Sequence, residues 1–310
     1  MTGHDAAASK CPLCSSPASF SLMKAGCAYF ECQGCEFLFH RPKQDGPAAS
    51  ARDFYDTAYW EMERVEAARR EKEDCYLRAL ELLYLSAVPV ANLLDFGCGL
   101  GITVRMLRES LGLNAVGVDI SADFVETDYL HRCDLTTLST RYPPAYFDAI
   151  YSIEVFEHLE DPRQVLSSLS TLLKPDGKIL INTGTREFLK QSDPELNYID
   201  PLRRGHISIY SLKSLQELAS AVGRTAEFLG DRKYEVIMNP KCGEGGTPQR
   251  DNIERLRLLG EWFPSLFKEY MRLIWVEREF EARGVWALQL SQMVERLSAK
   301  RSNSLPQNRS

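Results

Sequence analysis

The residues most suggestive of chemistry are four cysteines in two pairs. Cys11 and Cys14 stand in "KCPLC", Cys32 and Cys35 in "FECQGCEF". The spacing Cys-x2-Cys-x17-Cys-x2-Cys is that of two tight turns, each offering two thiolates to a tetrahedral zinc ion. Four sulfurs close the coordination shell and leave no position for water or substrate, so the expected ion is structural. A unit of about 35 residues is too small to fold without such a clip. A redox role is disfavoured because neither pair opens a helix after a strand. Cys27 and His40 are spare, and either is a possible substitute ligand, but neither has a partner at the paired spacing.

A second group centres on "LLDFGCGLG", with Asp95 at the end of an apolar run and Gly97, Gly99 and Gly101 in the turn that follows. Glycines there allow a tight strand-to-helix turn and close approach of backbone N–H groups to a ligand. The same glycines also serve a turn that binds nothing. G-x-G-x-G is not the dinucleotide fingerprint, and a phosphate loop would need a Gly-Lys-Ser/Thr ending. An acid at Asp95 repels phosphate and suits a cationic ligand. Asp119, in "VGVDIS", is placed to accept hydrogen bonds from ribose hydroxyls.

A third group is "SIEVFEHLED", which carries Glu154, Glu157 and His158. If that turn is helical, the i, i+3, i+4 spacing brings all three to one face, and Glu–His proximity would raise the imidazole pKa and fix its tautomer for acid-base work. The alternative is that Glu157 and His158 brace the loop. "RRGHISIYSL" adds His206, which either faces substrate or bonds a backbone carbonyl, and Tyr210, which reads as packing under the next helix. Cys98 and Cys133 lack a nearby histidine motif and read as small buried fillers.

Positioning these groups requires a particular order of elements. "ANLLDF", "NAVGVDI", "YLHRCDL", "YFDAIYSI", "KILINT" and "TAEFL" have strand character, and stretches of helical periodicity separate most of them. Asp161 and Pro162 form a helix start, "KPDG" stops that helix, and Ser211 caps another that ends at Gly223. Strands alternating with helices predict an α/β, doubly wound parallel sheet with helices on both faces. The expected organisation is a zinc ribbon at 1–45, a linker and leading helix at 46–88 with Leu77, Leu80 and Tyr84 on its apolar side, and the core at 89–240. A helical extension at 241–300, with a strand or more helix at 284–290, and a disordered tail at 301–310 complete it.

Five of these segments in order, over about residues 90–230, resemble the class I S-adenosylmethionine-dependent methyltransferases. "LLDFGCGLG" resembles the family's first motif, and "FDAIYSIEVFEHLEDP" followed by "LLKPDGKILINT" its fourth and fifth strand regions. The resemblance implies a Rossmann-like fold and S-adenosylmethionine as cofactor. Asp95 would lie near the cofactor's amino-acid part, the glycines near its body, Asp119 at the ribose and Asp134 at the adenine amino group. Cys98, Ile120, Leu135 and Glu154 would border the cofactor. His158, Glu157, Glu154 and His206 would face the acceptor. With "CPLC", "FECQGCEFLFHRP" and "DFYDTAYWE" included, the chain resembles a bacterial branch with an N-terminal zinc ribbon, many of whose members tailor sugars, polysaccharides or other secondary products.

Composition narrows the partners. The chain has 310 residues, 44% hydrophobic and 26% charged, with a formal net charge of −6. It can bury an ordinary core and has no global attraction for polyanions. "RVEAARREK" mixes acids with bases and reads as a solvated helix face. No apolar run suits a secretory signal or a membrane span, so a soluble cytoplasmic protein is expected. The leading expectation is a methyltransferase acting on a small molecule, a sugar or nucleotide-linked sugar among them. The alternatives are an RNA or DNA base methyltransferase that reads nucleic acid through the ribbon, and a cofactor-binding module without catalysis. The segment from "FHRP" into "DFYDTAYW" is where a substrate contact is expected.

Overall fold

The structure is a computed structural model that describes residues 9–40, 57–70, 91–109, 112–120, 124–199, 205–228 and 235–240. The chain divides into two compact units, residues 1–71 with 90–246, and residues 72–89 with 247–310. Every described residue belongs to the first. The expectations for Leu77, Leu80 and Tyr84, for the extension at 241–300 with its strand at 284–290, and for the tail fall outside the described residues.

Five strands form a parallel ladder: β5 (Asn92–Phe96), β6 (Asn114–Asp119), β7 (Leu130–Arg132), β8 (Phe147–Ile153) and β9 (Leu173–Asn182). Two more, β11 (Arg224–Phe228) and β12 (Glu235–Pro240), complete a seven-stranded sheet in the order β11-β12-β9-β8-β5-β6-β7. β12 runs antiparallel to both neighbours. The central strands read as continuous apolar runs because both faces are covered: Leu93, Leu94, Ala149, Ile150 and Tyr151 are all fully buried.

From β5 the chain steps one way to β6 and β7, then returns past its start to β8 and β9. Right-handed crossovers therefore place α2 (Ile102–Glu109) on one face and α3 (Leu135–Arg141) and α4 (Pro162–Leu172) on the other. α3 and α4 pack together, and α4 also meets α6 (Leu212–Ala221). This is the doubly wound class that the sequence predicts. The reversal leaves a crevice beyond the carboxyl ends of β5 and β8, where open α/β sheets bind ligands.

The predicted caps are present. Asp161 accepts from Gln164 N with Pro162 following, and Ser211 and Ser214 form a reciprocal capping box. "KPDG" behaves differently from a plain stop: α4 ends at Leu172, and those residues form the irregular start of β9. β12 was not predicted. Its buried residues Val236 and Met238 alternate in only six residues that end in proline, too short a signal to separate from loop.

The cysteine-bearing segment forms a second sheet of β1 (Ser9–Lys10), β2 (Pro17–Lys24), β3 (Cys27–Cys32) and β4 (Leu38–His40), antiparallel throughout. Its fifth strand is β10 (Ser208–Ile209), from the far end of the chain, paired with β4 through Ser208 with Phe39 and Ile209 with Leu38. Two further helices are α1 (Thr57–Arg70) and α5 (Arg186–Ser192). Arg186 on α5 pairs with Glu31 on β3 at 2.6 Å, and Arg163 on α4 donates to the Leu13 carbonyl at 3.1 Å. Cys11, Leu13, Phe37 and Phe39 share one buried cluster with Phe156, Leu166 and Leu169. The ribbon and the large sheet thus have a common core.

Asp148 links the edges of two central strands, accepting from Ala91 N at 3.1 Å and Asn92 N at 2.8 Å and pairing with Lys174 at 2.5 Å. Burial acts to raise its pKa, but the Lys174 ammonium and the two amides outweigh this and hold it below the usual carboxylate value. Its contribution is therefore complete above about pH 4 and is lost as pH falls through the lowered value. Asp148→Ala should cost about 1–3 kcal/mol at neutral pH, because two amides lose their acceptor. Lys174→Met should cost less than about 1 kcal/mol, since that lysine is solvated. Urea unfolding at pH 7 checks both; equal losses would refute the assignment.

Candidate active site

The glycine loop folds over the end of β6. Gly97 N and Cys98 N both donate to the Val118 carbonyl, at 2.8 and 3.1 Å, and Gly99 N donates to Asp119 Oδ2 at 3.1 Å. All three loop glycines have positive φ, but their surroundings differ. A Cβ on Gly97 would lie 2.3 Å from Val155 Cγ2, and one on Gly101 would lie 2.6 Å from Leu130 Cδ2. A Cβ on Gly99 would meet nothing within 4 Å. Gly97 and Gly101 are therefore required by packing, whereas Gly99 presents bare backbone to open space. Asp95 is buried, Asp119 is partly exposed, and Ile120 just after it is 44% exposed.

Cys98 is partly buried and packs beside Gly117, where a Cβ would come within 2.8 Å of its sulfur. Burial raises both the Cys98 and Cys133 thiol pKa values, which suits fillers rather than nucleophiles. Asp134 is exposed and caps α3 by accepting from Thr137 N at 2.8 Å. Leu135, the first residue of α3, is half buried against the core. Tyr59 on α1 was not singled out individually by the sequence. Burial and then the charges of Glu63 and Asp119 push its hydroxyl pKa up, so it stands near the Asp119 end of the crevice.

Across the crevice, the segment after β8 is not the α-helical turn that would align Glu154, Glu157 and His158. Glu154 has φ of 53° at the strand end, and only Phe156–His158 form a single 3-10 turn. Glu154 nevertheless hydrogen-bonds the Glu157 carboxyl. Glu157 is fully buried: Thr183 Oγ1 donates to its Oε2 and the Tyr198 hydroxyl to its Oε1, each at 2.8 Å. Burial, then the neighbouring Glu154, raises its pKa well above the usual carboxylate value.

His206 joins the same group. Its Nδ1 lies 2.7 Å from the Tyr198 carbonyl, and its Nε2 lies 3.9 Å from Glu157 Oε1. His158 Nδ1 lies 3.0 Å from the Gly205 carbonyl, and the two imidazoles meet edge to face at 4.8 Å. The expected rise in the His158 pKa is reversed: burial dominates and lowers it to about 4. Tyr210 is buried and donates to the Phe156 carbonyl at 2.9 Å, which is a packing role. Thr183 and Tyr198 were missed because neither sits in a motif. The only available signal was the place of Thr183 at the carboxyl end of β9.

The four cysteines form two copies of one turn. In each, the first cysteine's N–H donates to a carbonyl five residues on, namely Ser16 and Phe37, at 2.9 Å. Ser15 N and Glu36 N then return to the Cys11 and Cys32 carbonyls at 3.0 Å, with φ of 62° and 61°. Leu13 N and Gly34 N point at the first sulfur of each turn, at 3.4 and 3.3 Å. All four sulfurs lie within 4.8 Å of one another, with Cys11 and Cys35 at 3.6 Å and Cys14 and Cys32 at 3.3 Å. Sulfurs about 2.3 Å from a tetrahedral zinc stand roughly 3.75 Å apart, so the donor set fits that ion.

Residues 65–226 match the family model described as "Methyltransferase domain", which is more than half of the chain. The chain belongs to this methyltransferase family. The matched region runs from α1 through the glycine loop and the Glu157 segment to β11. Phosphoethanolamine N-methyltransferase 2 of Caenorhabditis elegans is 26% identical over 177 residues, 54% of this chain and 38% of the relative. Ubiquinone biosynthesis O-methyltransferase of Xanthomonas campestris pv. campestris (strain B100) is 27% identical over 162 residues, 48% of this chain and 63% of the relative. The chain therefore spans less than two thirds of either relative. Among solved structures, a SAM-dependent methyltransferase from Archaeoglobus fulgidus is 20% identical with a TM-score of 0.42, covering 67% of this chain and 93% of that one.

The different surroundings of the family's loop glycines can be measured. Gly101→Ala adds a steric overlap to the strain of a positive φ and should cost about 1–3 kcal/mol more than Gly99→Ala, for which backbone strain alone, about 1 kcal/mol, remains. Equal unfolding midpoints in urea would contradict this division.

Proposed function

We propose that this chain transfers a methyl group from S-adenosylmethionine to a small-molecule acceptor. The observation that carries the reading is the juxtaposition at one crevice of an open glycine backbone beside Asp119 with the buried Glu157, His158 and His206 group. The fit to the cofactor rests on the bare face of Gly99, which a Cβ would fill, and on two carboxylates of a kind that suits a cationic ligand bearing ribose hydroxyls. Asp95 would serve the cofactor's amino-acid end, Asp119 its ribose and Asp134 its adenine. When bound, the cofactor supplies a sulfonium methyl group that passes to the acceptor's lone pair as the S–C bond breaks, leaving a thioether.

The chain's own part is mostly positioning, since holding the acceptor in line with the methyl group supplies much of the acceleration. The loop glycines bring backbone close to the cofactor, and Tyr59 and Ile120 border its place. An oxygen or protonated nitrogen acceptor must also lose a proton. The Glu157, His158 and His206 group is the candidate to manage it, with Glu154 on the exposed side. Two relatives carry names that refer to phosphoethanolamine and to ubiquinone biosynthesis, and these small-molecule contexts support an acceptor of that scale here. Within that class we favour a sugar or nucleotide-linked sugar, on the resemblance to the ribbon-bearing branch.

We also propose that Cys11, Cys14, Cys32 and Cys35 hold a structural zinc ion. The ion's task is to fix β3 and β4 as the platform for β10. Tyr29 on β3 donates to the His206 carbonyl at 3.0 Å, and Ser211 Oγ donates to the Cys35 carbonyl at 2.7 Å. Metal analysis should find one zinc per chain. Cys35→Ser should lose it and lower both the melting temperature and turnover; wild-type stability in a zinc-free variant would refute the structural role.

Asp119→Ala should abolish calorimetric binding of S-adenosylmethionine, and unchanged affinity would remove the ribose assignment. His158→Ala should keep cofactor affinity and lower turnover by about 10²-fold or more. Incubation with methyl-labelled cofactor and fractionated extract should place label in metabolites. Label in RNA, with salt-dependent retention on it, would favour the nucleic-acid alternative.

A further inference from the structure

Three donor groups from two parts of the chain converge beside the crevice: Glu157 and His158 from the 3-10 turn, and His206 from the segment before β10. One ligand atom from each lies within 4.8 Å of the others. A carbonyl oxygen can only accept, so the contact of His206 Nδ1 with the Tyr198 carbonyl assigns that neutral ring's proton to Nδ1 and its lone pair to Nε2. His158 Nδ1 faces the Gly205 carbonyl in the same way, and the ring also hydrogen-bonds the Glu154 backbone, a bond with which a cation at this ring must compete. Metal-ligating histidines are held in the same way, by a carbonyl or carboxylate on the other ring nitrogen.

Glu157 is oriented as a ligand carboxylate would be. Thr183 holds Oε2, Tyr198 holds Oε1, and Gly184 N donates to the same tyrosine hydroxyl at 3.0 Å. Ile207 N and Ser208 Oγ bind the Glu157 carbonyl at 3.0 and 3.3 Å, so residues beside His206 clamp the backbone that carries the carboxylate. Donors about 2.1 Å from a shared ion stand roughly 3.0 to 4.2 Å apart, and the 3.9 Å between His206 Nε2 and Glu157 Oε1 lies in that range.

We propose that Glu157, His158 and His206 form a binding site for a divalent first-row cation that holds and polarises the acceptor's hydroxyl. Two imidazoles and one carboxylate select manganese, iron, cobalt or zinc rather than calcium, which takes oxygen ligands only. Three protein ligands leave positions open for a substrate oxygen, and the exposed Glu154 marks the solvent side. The cation acts as a Lewis acid that lowers the hydroxyl's pKa, so the proton leaves to water before the oxygen's lone pair takes the methyl group. Oxygen acceptors, and vicinal hydroxyls able to chelate, are the substrate class this site favours. The inference rests on the methyl-transfer reading for its purpose, but cation binding can be tested without cofactor or acceptor.

The test uses the full chain with its cysteine-bound zinc retained and verified by metal analysis. Titration with Co²⁺ should load one further equivalent per chain without the intense thiolate-to-cobalt charge-transfer band of a cysteine site. The same cation should raise the melting temperature. His206→Asn keeps a donor toward the Tyr198 carbonyl while removing Nε2, and should weaken Co²⁺ binding by roughly a hundredfold with the fold retained by circular dichroism. Glu157→Gln should do the same, and His158→Asn provides a third variant if either fails to fold. No second equivalent in the wild type, or equal binding by the folded variants, would overturn the site even if S-adenosylmethionine binds and methyl transfer is observed.

Discussion

The pairing of β4 with β10 is the constraint on which the rest of the described structure depends. Two residue pairs and the bond from His40 N to the Ile207 carbonyl, 2.8 Å long, join a segment near residue 40 to one near residue 208. β10 alone is only two residues and would have no sheet to join without the ribbon. Closing a loop of that length costs conformational entropy, and the backbone bonds repay little of it by themselves. The deficit is met by burial: Tyr29, Leu38 and Ile209 pack together under Leu189 and Ile199, while Phe37 meets Tyr210 in a tilted ring contact at 4.8 Å. His206 is two residues before β10, so its position follows from the ribbon's.

Glu157 illustrates how such positioning is made tolerable. An isolated buried carboxylate would cost several kcal/mol, and here the cost is met by hydrogen bonds from Thr183 and Tyr198. Those donors come from the end of β9 and from the segment after α5, and the turn's own backbone is held by Ile207 and Ser208. Three separate stretches of chain besides its own turn are thus committed to one residue. A network of this kind is stable only when complete, which makes its members a unit rather than a set of independent contributors.

The sheet was largely legible in the sequence because its central strands are buried on both faces and flanked by glycine, proline and serine punctuation. The cysteine turns were legible because two Cys-x2-Cys pairs at this separation leave a spacing that a four-sulfur cluster explains. The site was legible only in part. Asp119 and the loop glycines sit in a local motif, whereas Thr183, Tyr198 and Tyr29 reach Glu157 and His206 through pairings between distant segments, for which sequence carries no period. The expected helical face of Glu154, Glu157 and His158 failed for a related reason. A positive φ at Glu154 is imposed by the strand end, where its N–H must meet the Asn182 carbonyl at 2.8 Å, and propensity does not register it. The His158 pKa runs against the expected rise because burial, a tertiary property, outweighs the ring's hydrogen bonds to the Gly205 and Glu154 backbone.

The two walls of the crevice are rigid for different reasons. On the glycine-loop side, Gly97 and Gly101 are fixed by contact with Val155 and Leu130, so the backbone around Gly99 is held by packing of its flanks and left bare itself. Val155 also belongs to the segment between Glu154 and Glu157. A shift in either wall would therefore be felt in the other through a contact that leaves no room for a methyl group. The proposed methyl transfer by in-line displacement would require donor and acceptor to be held at a fixed separation, and a shared steric contact between the two walls would set that separation more firmly than two independently flexible loops. On this view the ribbon, β10 and Val155 form one mechanical frame: the ribbon places His206, His206 and its neighbours place Glu157, and Val155 ties that segment to the glycine loop.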